Sequence, residues 1–227
     1  MDKRLVILVY NPRRFTYVVK RLRKRGISYY IPDKVEYVSR EDIVYTDSKD
    51  VYMLLSKKGV KVLYDPSGND MVLEKAILLS KGKDEYFEVS IGIDPGERHT
   101  VAVIADGELV DYALDLDEDD VLRLINKVVD TYPTKHVVVK IGKGVNGLDL
   151  ALYLARNMEQ NITMEIIDEH GSSPSSEWRN PFIDRIIGKS KTGIAQAKKK
   201  DIYAAIMIAL KSGIVVENIV EDYAAKE

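Results

Sequence analysis

Residues 89–114 hold three short strand-like runs separated only by turns, after which the chain switches to alternating helical and strand periods. Val89 to Asp94 stops at Pro95-Gly96, Thr100 to Ala105 stops at Asp106-Gly107, and Leu109 to Leu114 follows. Asp-Gly between two β-rich runs is a strong hairpin signal, because both residues tolerate positive φ. Val121, Leu122, Leu124, Ile125, Val128 and Val129 then form a helical apolar face within 117–131, which Pro133 closes. His136 to Ile141 reads as a fourth strand, 147–159 as a helix, Ile162 to Ile167 as a fifth strand, and 194–212 as a last helix. The order βββαβαβ-loop-α predicts an α/β unit: a mixed five-stranded sheet flanked by helices.

The first 80 residues read as a separate, smaller α/β unit. Arg4 to Val9 suits a buried strand, Asn11-Pro12 opens a helix over 14–25, and Gly26 ends it. Ile27 to Ile31 and Val35 to Val38 read as short strands. A helix capped by Asp47 or Ser48 runs to Lys58, Val60 to Tyr64 is a strand, and 70–79 is a helix. The polar, Gly-containing stretch Ser80 to Glu85 marks a boundary, giving domains 1–82 and 86–227.

Composition removes several function classes. The 227-residue chain has no cysteine and three histidines, which excludes a disulfide framework, a thiolate metal site and a Cys nucleophile. No apolar run is long enough to span a membrane, and the first residues lack a cleavage-site pattern, so the expected compartment is the cytoplasm. The net charge of −2 conceals an uneven distribution. Residues 1–30 carry nine basic groups, Arg21, Arg23 and Arg25 among them, against Asp2 alone. Lys189, Lys191, Lys198, Lys199 and Lys200 form a second basic run, whereas acids crowd into 106–120. Such polarity can bind a polyanion locally, although a basic run can equally be a solvated helix face.

Four carboxylates stand where strands or the last helix would bring them together. Asp94 ends the first strand of the larger unit, Asp168 and Glu169 end the fifth, and Asp201 lies within the last helix. Carboxylates gathered at adjacent strand ends repel unless a cation relieves them, and hard Mg²⁺ or Mn²⁺ is held in this way. One or two such ions can activate water for phosphodiester cleavage. Each residue also has a plain alternative: Asp94 as the start of a turn, Asp168-Glu169 as a solvated strand end, and Asp201 as a partner of its neighbouring lysines.

These segments, taken together over about 88–212, resemble the ribonuclease H-like fold in its RuvC and YqgF branch of Holliday-junction resolvases. Ile91-Gly-Ile-Asp-Pro-Gly-Glu-Arg-His-Thr100 resembles the RuvC opening. Val137 to Gly147 resembles the YqgF strand that runs into a Gly-containing loop, Asp168-Glu-His-Gly-Ser-Ser173 resembles its Asp-Glu-Arg motif, and Asp201-Ile-Tyr-Ala-Ala205 resembles the final-helix motif. The resemblance implies metal-dependent cleavage of branched DNA or structured RNA, with Asp94, Glu169 and Asp201 as catalytic metal ligands, Asp168 as a further ligand, and a homodimer. A catalytically silent nucleic-acid-binding protein on the same fold is the alternative. An ATP-using enzyme of the actin type also opens on an Asp-Gly loop, but it needs two such halves, and residues 1–80 lack the three-strand meander.

Two departures from the pattern carry weight. Lys140 occupies the strand that bears an acid in RuvC, and His170 replaces the Arg of Asp-Glu-Arg. Candidate nucleic-acid contacts are Lys140 and Lys143 in the Gly-rich segment, His170, Trp178 and Arg179 in the Ser-rich loop, and the lysines at 189, 191, 198, 199 and 200. Residues 1–82 match nothing in this family.

Overall fold

The computed structural model describes residues 3–158, 162–168 and 196–216, the side chains of 196–198 excepted. The chain divides into two compact units, Met1–Tyr86 with Asp130–Pro133, and Phe87–Val129 with Thr134–Glu227.

The smaller unit is built on three parallel strands, β1 (Leu5–Leu8), β2 (Ile43–Thr46) and β3 (Lys61–Tyr64), in the order β1-β2-β3. Helix α1 (Pro12–Lys24) is capped by Asn11, α2 (Lys49–Lys57) by Ser48 and α3 (Asp70–Ser80) by Asn69, each accepting from backbone N–H groups of the first turn. Alternation along the strands supplies two apolar layers. Leu5, Ile7, Ile43 and Tyr45 pack with Val18, Leu22, Leu73 and Ile77 on one face. Val6, Leu8 and Val44 pack with Val51, Leu55 and Val60 on the other.

Here the structure corrects the sequence reading twice. Residues 27–31 supply only an isolated bridge at Tyr30, which covers the outer edge of β1, and 35–37 is a 3-10 turn. The central strand is instead Ile43–Thr46, a β-branched and aromatic run that the sequence reading passes over.

The N-terminal basic run also divides. Arg14, Arg21 and Arg25 point inward and pair with Asp65, Asp70 and Glu74. Glu74, fully buried, accepts from Arg21 Nη2 at 3.0 Å, Arg25 Nη1 at 2.5 Å and Tyr86 Oη at 3.0 Å. Arg13, Lys20 and Arg23 remain exposed. Arginine side chains this buried and engaged in internal ion pairs are structural, so Arg21 and Arg25 are not the free phosphate contacts that a continuous basic helix would offer.

The larger unit begins with the expected meander: β4 (Val89–Asp94), β5 (His99–Ala105) and β6 (Glu108–Leu116). Asp106 and Gly107 turn β5 into β6 with φ of 48° and 78°, the two positive values that a tight primed hairpin turn requires. Helix α4 (Glu118–Thr131), β7 (Val137–Gly142), α5 (Gly147–Asn157), β8 (Thr163–Ile167), α6 (Gln196–Leu210) and β9 (Ile214–Val215) follow. The sheet order is β6-β5-β4-β7-β8-β9. Strand β5 is antiparallel to β4 and β6, β7 and β8 run parallel to β4, and β9 is antiparallel to β8. This is a mixed sheet flanked by helices. It has six strands rather than five, because two residues after α6 pair with Glu165 and Ile166.

Helix α6 crosses β4 and β5 at unusually short range. A Cβ on Gly92 would fall against the Ala205 carbonyl oxygen and 2.5 Å from the Ala209 nitrogen. Ile202, Ala205, Ile206 and Ala209 close over Ala102 and Ile104. Small residues on both sides thus bring the last helix onto the central strand.

Candidate functional site

The C-terminal ends of the parallel strands β4, β7 and β8 lie at one end of the sheet, as their register shows: Ile93 pairs with Ile141, and Gly142 with Ile167. Ligands of open α/β sheets are taken up at such ends. Asp94 is half-buried at the last position of β4, directly opposite the buried Thr100 of β5. Strand alternation places its side chain on the same face as Gly92, the face that α6 covers.

The loops beyond these strand ends are tied together. Asn146 Nδ2 donates to the Gly96 carbonyl at 3.0 Å, joining the turn after β4 to the loop after β7. The Lys143 amide donates to the Ile167 carbonyl at 2.9 Å. Gly147 is needed where the loop re-enters α5, because a Cβ there would fall against the Gly142 carbonyl oxygen. Lys143 and Val145 stand out from this loop in solvent.

Asp168 and Asp201 are the other candidate carboxylates among the described residues. Asp168 is exposed at the end of β8, two strands away, roughly 9–10 Å at strand spacing. Asp201 is exposed on α6, one turn before the Ala205 contact with Gly92. Among the described residues, no three acidic or histidine side chains are grouped so as to hold a metal ion. Glu169 lies outside the described residues, as do His170, Trp178, Arg179, Lys189, Lys191 and the side chain of Lys198. Lys199 and Lys200 are exposed beside Asp201.

Lys140 is only 8% exposed. Its register partners are Gly92 on β4 and Glu165 on β8, so it shares the α6 face with Asp94 and lies diagonal to it, at about 7–8 Å between Cα atoms. It makes no ion pair with a described side chain. A lysine this buried is not a surface phosphate contact. Its side chain is enclosed in the sheet beside the candidate carboxylate.

His99 is buried at the start of β5, and its Nδ1 has no hydrogen-bond partner among the described residues. Burial lowers its pKa, which Glu118 and Asp117 partly offset and Arg98 reinforces. The sequence gives no sign of this burial, because β5 is buried along its whole length and shows no alternation.

No family model matches the chain, and no curated protein does either. Among solved structures, a crystal structure of A. aeolicus Argonaute aligns over 74% of this chain and 34% of its own length, with 14% identity and a TM-score of 0.24. The chain thus spans about a third of that structure, and a likeness this slight carries no argument. No helix among the described residues is long and apolar enough to cross a membrane.

Proposed function

We propose that the larger unit is a ribonuclease H-like domain that acts on branched or structured nucleic acid as a divalent-metal phosphodiesterase, with Asp94 as its anchoring carboxylate. The observation that carries this reading is topological. A three-strand antiparallel meander continues into two parallel crossover strands, in the order β6-β5-β4-β7-β8, with an acid closing the central strand on the face of the last helix. The RuvC and YqgF resemblance of residues 88–212 supports it. The metal set of this reading adds Glu169 and Asp201 to Asp94, and Mg²⁺ or Mn²⁺ would supply charge neutralisation and an activated water.

A second reading, a nucleic-acid-binding domain without cleavage, is favoured by Lys140. A buried ammonium diagonal to Asp94 would take the place of a cation and disfavour a bound metal ion. The deciding experiment incubates the protein with Mg²⁺ or Mn²⁺ on four-way junction, flap, duplex, single strand and structured RNA, beside Asp94→Asn. Cleavage lost in Asp94→Asn with affinity retained supports the nuclease. Binding without cleavage in either metal supports the silent domain. The absence of both overturns the proposal.

A further inference from the structure

The smaller unit has one sheet edge covered and one that the described residues leave unpaired. The Tyr30 segment pairs with the outer side of β1, whereas no described residue pairs with the outer side of β3. A parallel edge strand offers the N–H and C=O of alternate residues outward. Both faces beside this edge are apolar and partly exposed. Tyr52 of α2 stacks on Tyr64 at 5.3 Å between ring centroids, and Met71 and Val72 of α3 flank Leu63. Together with Val62 and Lys75 they line a groove of about 440 Å³. Tyr52, Met53, Leu54 and Met71 are between 38% and 47% exposed, so the apolar surface continues beyond the groove.

The exposed charge around the groove is predominantly basic. Lys57, Lys58, Lys61 and Lys75 are exposed, and none of them forms an ion pair with a described residue. The nearby acids are engaged or distant: Asp65 and Asp70 are held by Arg14, Arg21, Tyr17 and Tyr45, and Asp50 lies in the first turn of α2, away from Lys57. A second copy of this edge would set these lysines against their own kind. A partner with acidic side chains would meet an opposite charge at every one of them.

We propose that the β3 edge is a docking site for an extended, acidic and apolar peptide segment of a partner protein, which adds as a fourth strand of the smaller unit's sheet. Main-chain hydrogen bonds to the edge would hold it. Its alternate side chains would fall to the two sides, one row on Tyr52 and Tyr64, the other on Leu63, Met71 and Val72, with carboxylates reaching Lys61 and Lys75. Lys61 in so short a strand also discourages uncontrolled edge pairing, and an acidic partner converts that guard into a selector. The proposal concerns the smaller unit alone and does not depend on the reading of the larger one.

The test uses the full chain and fluorescein-labelled peptides of roughly eight residues, long enough to span the strand: repeated Val-Glu, repeated Val-Lys, and repeated Val-Glu methylated on alternate backbone nitrogens. The Val-Glu peptide is expected to bind at least about tenfold more tightly than Val-Lys, and the Lys61→Glu, Lys75→Glu double variant to reverse that order. The methylated peptide, which changes nothing in the protein, is expected to lose binding. Equal affinity for the two charge types, undiminished binding of the methylated peptide, or no saturable binding of Val-Glu would each overturn the proposal. So would binding of oligothymidylate abolished by the same double variant when Val-Glu does not bind, which would assign the surface to single-stranded nucleic acid.

Discussion

Glu74→Gln is an isosteric change with a large expected cost. The wild-type carboxylate is fully buried and is held by two guanidiniums, of which Arg25 has only 4% of its side chain exposed and Arg21 11%. The amide fills the same space, so no cavity term arises. It removes the negative charge, however, and its NH₂ group presents hydrogens to one of the donors that the carboxylate accepted from. Two cations are then left in the interior, and among the described ion pairs Asp70 reaches Arg21 and Arg14 but not Arg25. Breaking a buried pair from one side costs about 3–5 kcal/mol, and for a unit of this size that corresponds to a fall of well over ten degrees in Tm, at roughly 4–8 °C per kcal/mol. Urea unfolding followed by circular dichroism, with amide exchange of β1 to β3 reporting on the smaller unit, measures it. The exposed Arg23→Ala serves as the control and should cost less than about 0.5 kcal/mol. A Glu74→Gln cost below about 1 kcal/mol would refute the assignment of Arg21 and Arg25 to the interior.

Gly92→Ala should destabilise the larger unit by at least the usual 1–3 kcal/mol of overpacking, because the added carbon meets backbone of α6 and not a movable side chain; a denaturant midpoint equal to or above wild type would show that α6 does not rest on β4 there. Because burial holds the His99 pKa below its ordinary value, the unfolded chain takes up its proton first. Its contribution to stability is therefore complete above about pH 6.5 and declines as pH falls. Urea midpoints against pH should lose this slope in His99→Asn, and an unchanged slope would assign it elsewhere. Burial alone would raise the Asp42 carboxyl, but hydrogen bonds from Arg4 and from the Ser39 amide hold it below its ordinary value. Its stabilisation is present above about pH 4 and is lost as pH falls through the lowered value. The Arg4→Ala variant should show a shallower acid limb between these limits, and identical acid limbs would remove Arg4 as the cause.

The larger unit was legible because its signals are local. Asp106-Gly107 dictates a hairpin whatever surrounds it, and the helical period of 121–129 survives any packing. The six strands escaped a full count because Ile214–Val215 is too short to show a period and exists only through its pairing with β8. The smaller unit was harder for the opposite reason. Ile43–Thr46 is buried on both faces, so it lacks alternation, and four apolar or β-branched residues alone do not declare a strand. The same limit applies to charge. Nine basic groups in the first 30 residues read as one run, but which arginines face inward depends on Asp70 and Glu74, some 50 residues later. At the candidate site, Asp94 could be chosen from Ile-Asp-Pro-Gly, whereas the burial of Lys140 follows from register with Gly92 and the approach of α6, neither of which is a property of its own segment.

By the proposed function, the larger unit acts on nucleic acid. The most direct test is the affinity of the full chain for a four-way junction and for structured RNA, measured by anisotropy over a series of salt concentrations without metal. The account predicts saturable binding to at least one of them, weakening steadily as salt rises, since phosphate contacts release counterions. No saturable binding to either at low salt, or binding indifferent to salt, would contradict it.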